Sequence, residues 1–170
     1  PTPITAFMAS CTKVAGFAAL LRIFYVALGG LRWDWRPMMF GVAVLTMVVG
    51  TVLALTQTDI KRLLAYSSVA HAGFLLVGVV AANEVGLHAT MFYLLVYGLA
   101  TVGAFAVVTL VRDTAGEATH LSQYAGLAKR SPLVAAAMAL FLLSLAGIPL
   151  TSGFPGKFAV FAAAIDGCAA

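Results

Sequence analysis

Long apolar runs, separated by short polar segments, make up most of the chain. We interpret five of them as transmembrane helices, at about residues 4–28, 38–55, 63–82, 87–111 and 133–165. A helix needs about 20 predominantly apolar residues to cross a bilayer, and the first four runs have about that length. The pattern therefore predicts an all-α integral membrane protein, with one transmembrane domain over residues 1–170.

The fifth run is too long for one straight span and is interrupted near its middle. Residues 147–156 contain three glycines and two prolines, among them Gly147, Pro149, Gly153 and Gly156. Because proline removes a helical hydrogen bond and glycine tolerates non-helical dihedral angles, we expect two half-helices joined by a short unwound segment. Unwound backbone at membrane depth is tolerated only where it is buried in protein or lines a wet cavity. Broken helices of this kind mark ion and substrate sites in transporters.

The composition agrees with a membrane protein. Hydrophobic residues make up 62% of the chain and charged residues only 9%, whereas soluble domains usually carry about 25% charged residues. The formal net charge of +4 therefore indicates loop charges that set the orientation in the membrane, not a nucleic-acid partner. Since the chain starts at Pro1 without a methionine, we expect it to be a fragment of a longer protein.

Basic residues are divided unequally between the two predicted sides of the membrane. One side contains the loops at 57–62 and 112–131, and its basic residues are Lys61, Arg62, Arg112, Lys129 and Arg130. The other side contains the loops at 29–36 and 83–86, with Arg32, Arg36 and, at the membrane edge, Arg22. The positive-inside rule predicts that the first side is cytoplasmic. On this side we expect Thr58 to cap the third helix and residues around 119–127 to form a short surface helix.

Three ionisable side chains are predicted near mid-depth, on three different helices. Lys13 lies about nine residues into the first helix, which is roughly 14 Å at about 1.5 Å per residue. His71 lies at a similar depth in the third helix, with Ser67 and Ser68 one turn before it. Lys157 is expected at the start of the second half-helix, at its positive end. Ionisable groups inside a span are functional candidates by default, and this pattern suits moving a proton; a snorkelling lysine and a hydrogen-bonded core histidine stay as alternatives.

A row of hydroxyl groups lines one face of the fourth helix. Thr90, Tyr93, Tyr97 and Thr101 recur at spacings of three and four residues. Such a row can hold ordered water between helices or hydrogen-bond to a neighbouring helix. Motifs for nucleotide binding, metal binding or nucleophilic catalysis are not found in the sequence, so we expect no cofactor, no metal and no redox chemistry in this chain itself.

Three motifs occur in order along the chain. The first is PTPITAF at 1–7 leading to Lys13, the second is QTDIKRLLAYSSVAH at 57–71, and the third is SLAGIP at 144–149 followed by GF at 153–154 and GKF at 156–158. Together they resemble the antiporter-like membrane subunits of respiratory complex I. The N-type is the most similar. The L- and M-type relatives place a histidine at the position of Ala9, whereas this chain has an alanine there and a lysine at position 13 instead.

The resemblance implies a fold of about fourteen helices with two inverted five-helix repeats, of which this chain would be essentially the second. It implies a proton-translocating subunit of NADH-quinone oxidoreductase, driven by quinone reduction in other subunits. Lys13 would connect two half-channels, Lys157 would be the lysine of the outlet, and His71 would belong to the hydrated axis between them. The implied partners are the neighbouring M-type subunit, small membrane subunits and the lipid bilayer of the bacterial inner membrane, with NADH and quinone bound only elsewhere.

Two other functions stay open from the sequence. The first is a subunit of a multi-subunit sodium/proton antiporter or of a membrane-bound hydrogenase, which would be built from the same ancestral module. Flavin and iron–sulfur subunits in its company would point to complex I instead. The second is a structural membrane anchor that carries no protons, for which loss of Lys157 would leave proton coupling normal.

Overall fold

The computed structural model describes residues 2–113 and 116–169, apart from the side chains of residues 113, 168 and 169. Pro1, with which the first motif begins, lies outside the described residues. Within them, the α-helices in chain order are α1 (Thr2–Arg22), α2 (Arg32–Leu55), α3 (Ile60–Ala81), α4 (Glu84–Leu110), α5 (Leu127–Arg130), α6 (Pro132–Ala146) and α7 (Gly153–Ala169). An antiparallel hairpin of β1 (Arg112–Asp113) and β2 (Gly116–Glu117) lies between α4 and α5.

Four helical stretches in the described part of the chain are long and apolar enough to cross a membrane. They are Thr2–Ala27, Gly29–Leu55, Ile60–Ala81 and Glu84–Leu110, which agrees with the first four predicted helices. The fifth predicted segment is divided into α6 and α7, of 15 and 17 residues. Each half is about 22 to 26 Å long, less than the hydrocarbon core of about 30 Å. A fifth span that combines both halves stays a prediction.

The central helices are α3 and α4. Helix α2 packs along α3, α1 and α6 pack against α4, and α7 packs against both α3 and α4. The largest fully buried side chains include Tyr93, Tyr97 and Phe105 of α4 and Leu75 of α3. Helices α1 and α2 instead expose many large apolar side chains, as expected for surfaces that face lipid. The mid-depth candidates on α3 and α4 therefore lie in the middle of the bundle.

One end of the bundle is closed by residues 56–59, 111–113 and 116–131, and we call it the capped end. Asp59 is the N-cap of α3, because its side chain accepts hydrogen bonds from the amides of Lys61 at 2.8 Å and Arg62 at 3.2 Å. The prediction that Thr58 is the cap is wrong. A carboxylate is a strong acceptor for free amides at a helix start and suits its positive charge, and Thr58 instead offers its carbonyl to the amide of Leu121 at 3.0 Å.

The polar segment after α4 is more ordered than the sequence predicts. The hairpin is followed by a 3₁₀ turn over Leu121–Tyr124 and then by α5, so the short helix expected around 119–127 is limited to Leu121–Tyr124. The amide of Ile60 donates to the carbonyl of Thr119 at 2.8 Å. This bond and the one from Leu121 fasten the segment to the start of α3.

The opposite end, formed by residues 28–31 and 82–83, corrects another prediction. The expected loop at 29–36 is helical for most of its length: a π-helical turn over Ile23–Ala27 and a 3₁₀ turn over Gly29–Leu31 lead into α2 at Arg32, not at residue 38. Arg36 is thus part of α2. Its guanidinium donates to the carbonyls of Val80 at 3.0 Å and Gly167 at 2.8 Å. Because the last carbonyls of a helix lack helical donors, one arginine here joins the ends of α3 and α7.

Glu117 joins the hairpin to two helices at the capped end. Its carboxylate accepts a hydrogen bond from the Thr2 hydroxyl of α1 and forms an ion pair with Lys61 of α3. These two donors, Lys61 first, hold the pKa of the Glu117 carboxyl below its usual range. Folding lowers the pKa of this carboxyl, so its charged form stabilises the folded protein at any pH above the pKa that it has in the unfolded chain. This stabilisation is lost as the pH falls through the lower pKa of the folded state.

We therefore expect Glu117→Gln to loosen the hairpin at neutral pH. Amide exchange of Ile60 and Leu121, measured by hydrogen/deuterium exchange in the full-length protein, should be faster in the variant than in the wild type. The difference should shrink as the pH is lowered below the usual range of a glutamate, because protonation then removes the charge from the wild type as well. Glu84→Gln, the same charge change at the other end of the bundle, is the control. Equal exchange in Glu117→Gln and the wild type at neutral pH would contradict this role.

Candidate functional site

Lys13 reaches from α1 into the centre of the bundle. Its ammonium donates to the backbone carbonyl of Ser68 on α3 and to the hydroxyl of Tyr97 on α4, the latter at 3.2 Å. The same ammonium lies 4.9 Å from the centroid of the Tyr97 ring, within range of a cation–π interaction. Tyr97 is 13 residues from each end of α4. Lys13 is therefore held near mid-depth by two neighbouring helices, and its side chain does not extend to an end of the bundle.

His71 lies on α3 and is buried, with 5% of its surface exposed. Its Nδ1 is 2.6 Å from the hydroxyl of Tyr93 on α4, and the centroid of its ring is 5.1 Å from that of Tyr97. The two serines before it do not act as its hydrogen-bond partners. Ser67 donates its hydroxyl to the carbonyl of Leu64 in its own helix at 2.8 Å, and Ser68 offers its carbonyl to Lys13.

Lys157 is held by the break in the last apolar segment. Its ammonium donates to the carbonyls of Leu145 at 2.9 Å and Ala146 at 3.0 Å, the last two residues of α6. The sequence places Lys157 at the positive start of its own half-helix, but it is the fifth residue of α7, and its ammonium reaches the negative end of the preceding helix.

The break itself is shorter than predicted. It covers residues 147–152, where the sequence predicts 147–156. Gly147 ends α6 in the left-handed region, with φ +79°, and its amide donates to the carbonyls of Leu143 and Ser144. Pro149 lies in the unwound segment, which suits a residue without an amide hydrogen.

Two glycines in the first turns of α7 set its position. A Cβ on Gly153 would lie 1.8 Å from the carbonyl oxygen of Ser144, so the start of α7 lies directly against the end of α6. A Cβ on Gly156 would lie 2.9 Å from the ring of Tyr93, so α7 also approaches α4 closely. These contacts bring Lys157 to the level of the central helices.

Phe74 is a further contact residue of this site, and no sequence motif marks it. Its ring centroid lies 6.0 Å from that of His71 and 4.7 Å from the Lys157 ammonium. Its edge-on contact with Phe161 of α7, at 5.8 Å between centroids, fixes the ring from the other side. The signal that could have found it is its spacing, because Phe74 is three residues after His71 and so lies on the same helix face.

The three predicted ionisable residues thus belong to one row of contacting side chains. In order, the row is Lys13, Tyr97, His71, Phe74 and Lys157. Four of the five can accept or release a proton, and the phenylalanine ring cannot. Within the described residues, no group of three or more His, Cys, Asp and Glu side chains is placed to hold a metal ion.

A family model and two curated relatives assign the chain to the same group of membrane proteins. Residues 1–169 match the model of a family described as NADH:quinone oxidoreductase/Mrp antiporter, transmembrane. The chain is 72% identical over 167 residues to NADH-quinone oxidoreductase subunit N of Rhodococcus opacus (strain B4), with 98% of this chain and 31% of that relative covered. It is 69% identical to subunit N of Parafrankia sp. (strain EAN1pec), with 98% of this chain and 32% of the relative covered. The chain therefore spans about a third of the length of the curated relatives it matches.

The backbone conformation of Gly147 and its closeness to Lys157 predict that a larger residue at this position lowers the stability of the protein. Alanine in the left-handed region costs about 1–2 kcal/mol, and a Cβ on Gly147 would in addition lie 2.9 Å from Cδ of Lys157. We therefore expect Gly147→Ala to lower the thermal unfolding midpoint of the full-length protein and to speed amide exchange in residues 153–157, because Lys157 is pushed away from the α6 carbonyls.

Gly126→Ala is a matched control for this prediction. Gly126 also has a left-handed backbone, φ +76°, but a Cβ there would meet nothing within 4 Å. Its substitution should show only the backbone cost, with normal exchange in residues 153–157. Equal effects of the two variants on exchange at the start of α7 would contradict the contact with Lys157.

Proposed function

The chain belongs to the NADH:quinone oxidoreductase/Mrp antiporter membrane family, and on that premise we propose that it is part of a proton-translocating membrane subunit of NADH-quinone oxidoreductase. The observation that carries the proposal is the row of contacts from Lys13 to Lys157 across α1, α4, α3 and α7. Ionisable groups are costly inside a membrane and are kept there mainly for ion or proton pathways. A row that joins two lysines and a histidine at mid-depth suits such a pathway.

In the proposed relay, Lys13 passes a proton towards His71 and from there to Lys157, which releases it on the outer side. Tyr97 contacts both Lys13 and His71 and offers a hydroxyl that can accept one proton while it gives up another. His71 can take a proton on one ring nitrogen and release one from the other. When Tyr93 donates to Nδ1, the neutral ring carries its proton on Nε2.

The step from His71 to Lys157 needs water or a movement of Phe74. The phenylalanine ring contacts both residues and has no group that can carry a proton. The Lys157 ammonium also donates to two backbone carbonyls, and these hydrogen bonds stabilise the protonated lysine until it releases its proton. These two features support a relay that conducts only when the rest of the complex drives it, in this proposal through quinone reduction in other subunits.

The relatives support complex I over the alternatives from the sequence. Two relatives reported above are named as subunit N of NADH-quinone oxidoreductase, which does not favour a sodium/proton antiporter or a membrane-bound hydrogenase. We propose the bacterial cell membrane as the location, and the neighbouring M-type subunit and small membrane subunits of the complex as partners. NADH and quinone would bind to other subunits.

The proposal predicts that Lys157→Ala, made in the full-length chain, uncouples proton movement from electron transfer. Proton pumping into inverted membrane vesicles should fall by half or more per NADH oxidised, while the assembled complex is still found on native gels. Lys13→Ala should have the same effect, because it removes the other end of the row. The reason in both cases is that alanine leaves no group that can hold the proton at that point.

Lys129→Ala is the control for a lost lysine. Lys129 is exposed on α5 at the capped end, so its loss should leave both pumping and NADH oxidation normal. If Lys13→Ala and Lys157→Ala both pump as the wild type does, the relay is refuted and the chain is better described as a membrane anchor.

A further inference from the structure

A cavity of about 150 Å³ lies at the capped end, between the hairpin, α5 and the start of α6. Its lining includes two guanidinium groups, Arg112 of β1 and Arg130 of α5, together with Ser131, which precedes α6. Both arginines are exposed, so their charges are accessible from outside the protein. Like charges that line one concave site repel each other, and an anion between them removes this repulsion. The cavity therefore favours an anionic ligand.

The described part of the chain supplies no anion to this cavity. Among the described side chains, the one ion pair is that of Lys61 with Glu117. Glu117 lies opposite Arg112 in the hairpin, but its carboxylate bonds to Lys61 and to Thr2 instead. Neither Arg112 nor Arg130 thus has an anionic partner among the described side chains.

The start of α6 adds a third source of positive charge. Ser131 is the N-cap of this helix, but its side chain makes no hydrogen bond to the first turn. Pro132 follows at the start of the helix and has no amide hydrogen. The amides of Leu133 and Val134 therefore lack the acceptor that an N-cap serine usually supplies. Since Ser131 and Val134 both line the cavity, an anion such as a phosphate can take the place of the missing cap.

The surroundings of the cavity are apolar on the side of the bundle. Leu110, the last residue of α4, lines the cavity and is 69% exposed. Leu133, in the first turn of α6, is 85% exposed. Exposed leucines at the ends of apolar helices, followed at once by arginines, are typical of the boundary between hydrocarbon and headgroups. A soluble anion would have no use for this apolar surface, whereas the acyl chains of a lipid would cover it.

We propose that this cavity binds the phosphodiester headgroup of an anionic phospholipid, with the acyl chains along Leu110 and Leu133. A guanidinium can donate to two phosphate oxygens at once, so Arg112 and Arg130 suit this headgroup. The positive-inside rule predicts that the capped end is cytoplasmic, and anionic lipids give that leaflet its negative surface potential. The inference goes beyond the proposed function and does not depend on the relay, because none of these residues belongs to the row of contacts from Lys13 to Lys157.

Photo-crosslinking tests the proposal in the full-length chain within the assembled complex. The complex is placed in phosphatidylcholine nanodiscs that contain a small fraction of photoreactive phosphatidylglycerol, and adducts on residues 127–135 are measured by mass spectrometry. Arg112→Gln and Arg130→Gln should each lower the adduct yield about threefold or more, because each removes a charged hydrogen-bond donor to the phosphate. Photoreactive phosphatidylcholine with the same acyl chains should label these residues weakly in the wild type.

Lys129→Gln is the matched control. Lys129 and Arg130 are neighbours in the last turn of α5 and both are exposed, but only Arg130 lines the cavity. Lys129→Gln removes the same charge from the same surface and should be labelled as strongly as the wild type. Equal yields in Arg130→Gln and Lys129→Gln would overturn the inference, because general attraction to an anionic surface would then explain the labelling.

Amide exchange gives a second measurement that needs no photoreactive group. Addition of phosphatidylglycerol to phosphatidylcholine nanodiscs should slow the exchange of Leu133 and Val134 in the wild type and in Lys129→Gln, and have little effect in Arg130→Gln. In phosphatidylcholine alone, Arg130→Gln should exchange as the wild type does, which shows that the segment still folds. Arg112→Gln repeats the test from the hairpin, so a local loosening of α5 does not decide the result.

Two other occupants of the cavity have distinct outcomes. If millimolar inorganic phosphate in phosphatidylcholine nanodiscs slows the exchange of Leu133 and Val134 as much as phosphatidylglycerol does, the site binds a soluble anion and the lipid assignment is wrong. If both amides are already fully protected in phosphatidylcholine alone, another part of the protein fills the cavity, and the inference is refuted as well.

Discussion

Carbonyls at the end of a helix must find hydrogen-bond partners outside the helix, and this requirement determines the structure around the break between α6 and α7. The last carbonyls of α6 have no helical donors, and the Lys157 ammonium donates to two of them. Lys157 is only partly exposed, so the same carbonyls replace part of its hydration shell. The open backbone and the partly buried cation therefore satisfy each other.

This mutual support holds only if α7 starts at one defined place. Gly153 allows the first turn of α7 to lie against the carbonyl of Ser144, and Gly156 allows the next turn to lie against Tyr93. The fold therefore fixes the distance between the break and the central helices through positions where a larger side chain does not fit. Since Tyr93 also bonds to His71, the packing of α7 and the polar contacts of α3 depend on the same tyrosine.

Much of this arrangement could be predicted from the sequence, because it depends on quantities that are local. The rise per residue places Lys13 and His71 near mid-depth, and glycines and prolines predict the break. The contacts between side chains of different helices could not be predicted from the sequence. The hydroxyl row marks one polar face of α4, but α3 is apolar on nearly every face and has no polar side to indicate how it turns about its axis. The sequence therefore does not identify His71 as the partner of Tyr93. The sequence predicts Arg36 in a loop, but the open carbonyls at the ends of α3 and α7 accept its hydrogen bonds while it lies inside a helix.

The two lysines of the row are held in different ways, and the difference has consequences for the proposed relay. Lys13 bonds to one carbonyl and one phenol, whereas both carbonyls that hold Lys157 belong to the end of a helix that stops at that point. Hydrogen bonds from a charged donor are roughly twice as strong as those from a neutral one, so release of the proton from Lys157 weakens both bonds at once. The hydrogen bonds that hold the end of α6, next to the unwound residues 147–152, then become weaker. The Phe74 ring also loses its cation–π contact with the Lys157 ammonium. Protonation of Lys157 and the geometry of the break are therefore coupled, and a conformational change elsewhere in the complex that shifts one equilibrium must shift the other.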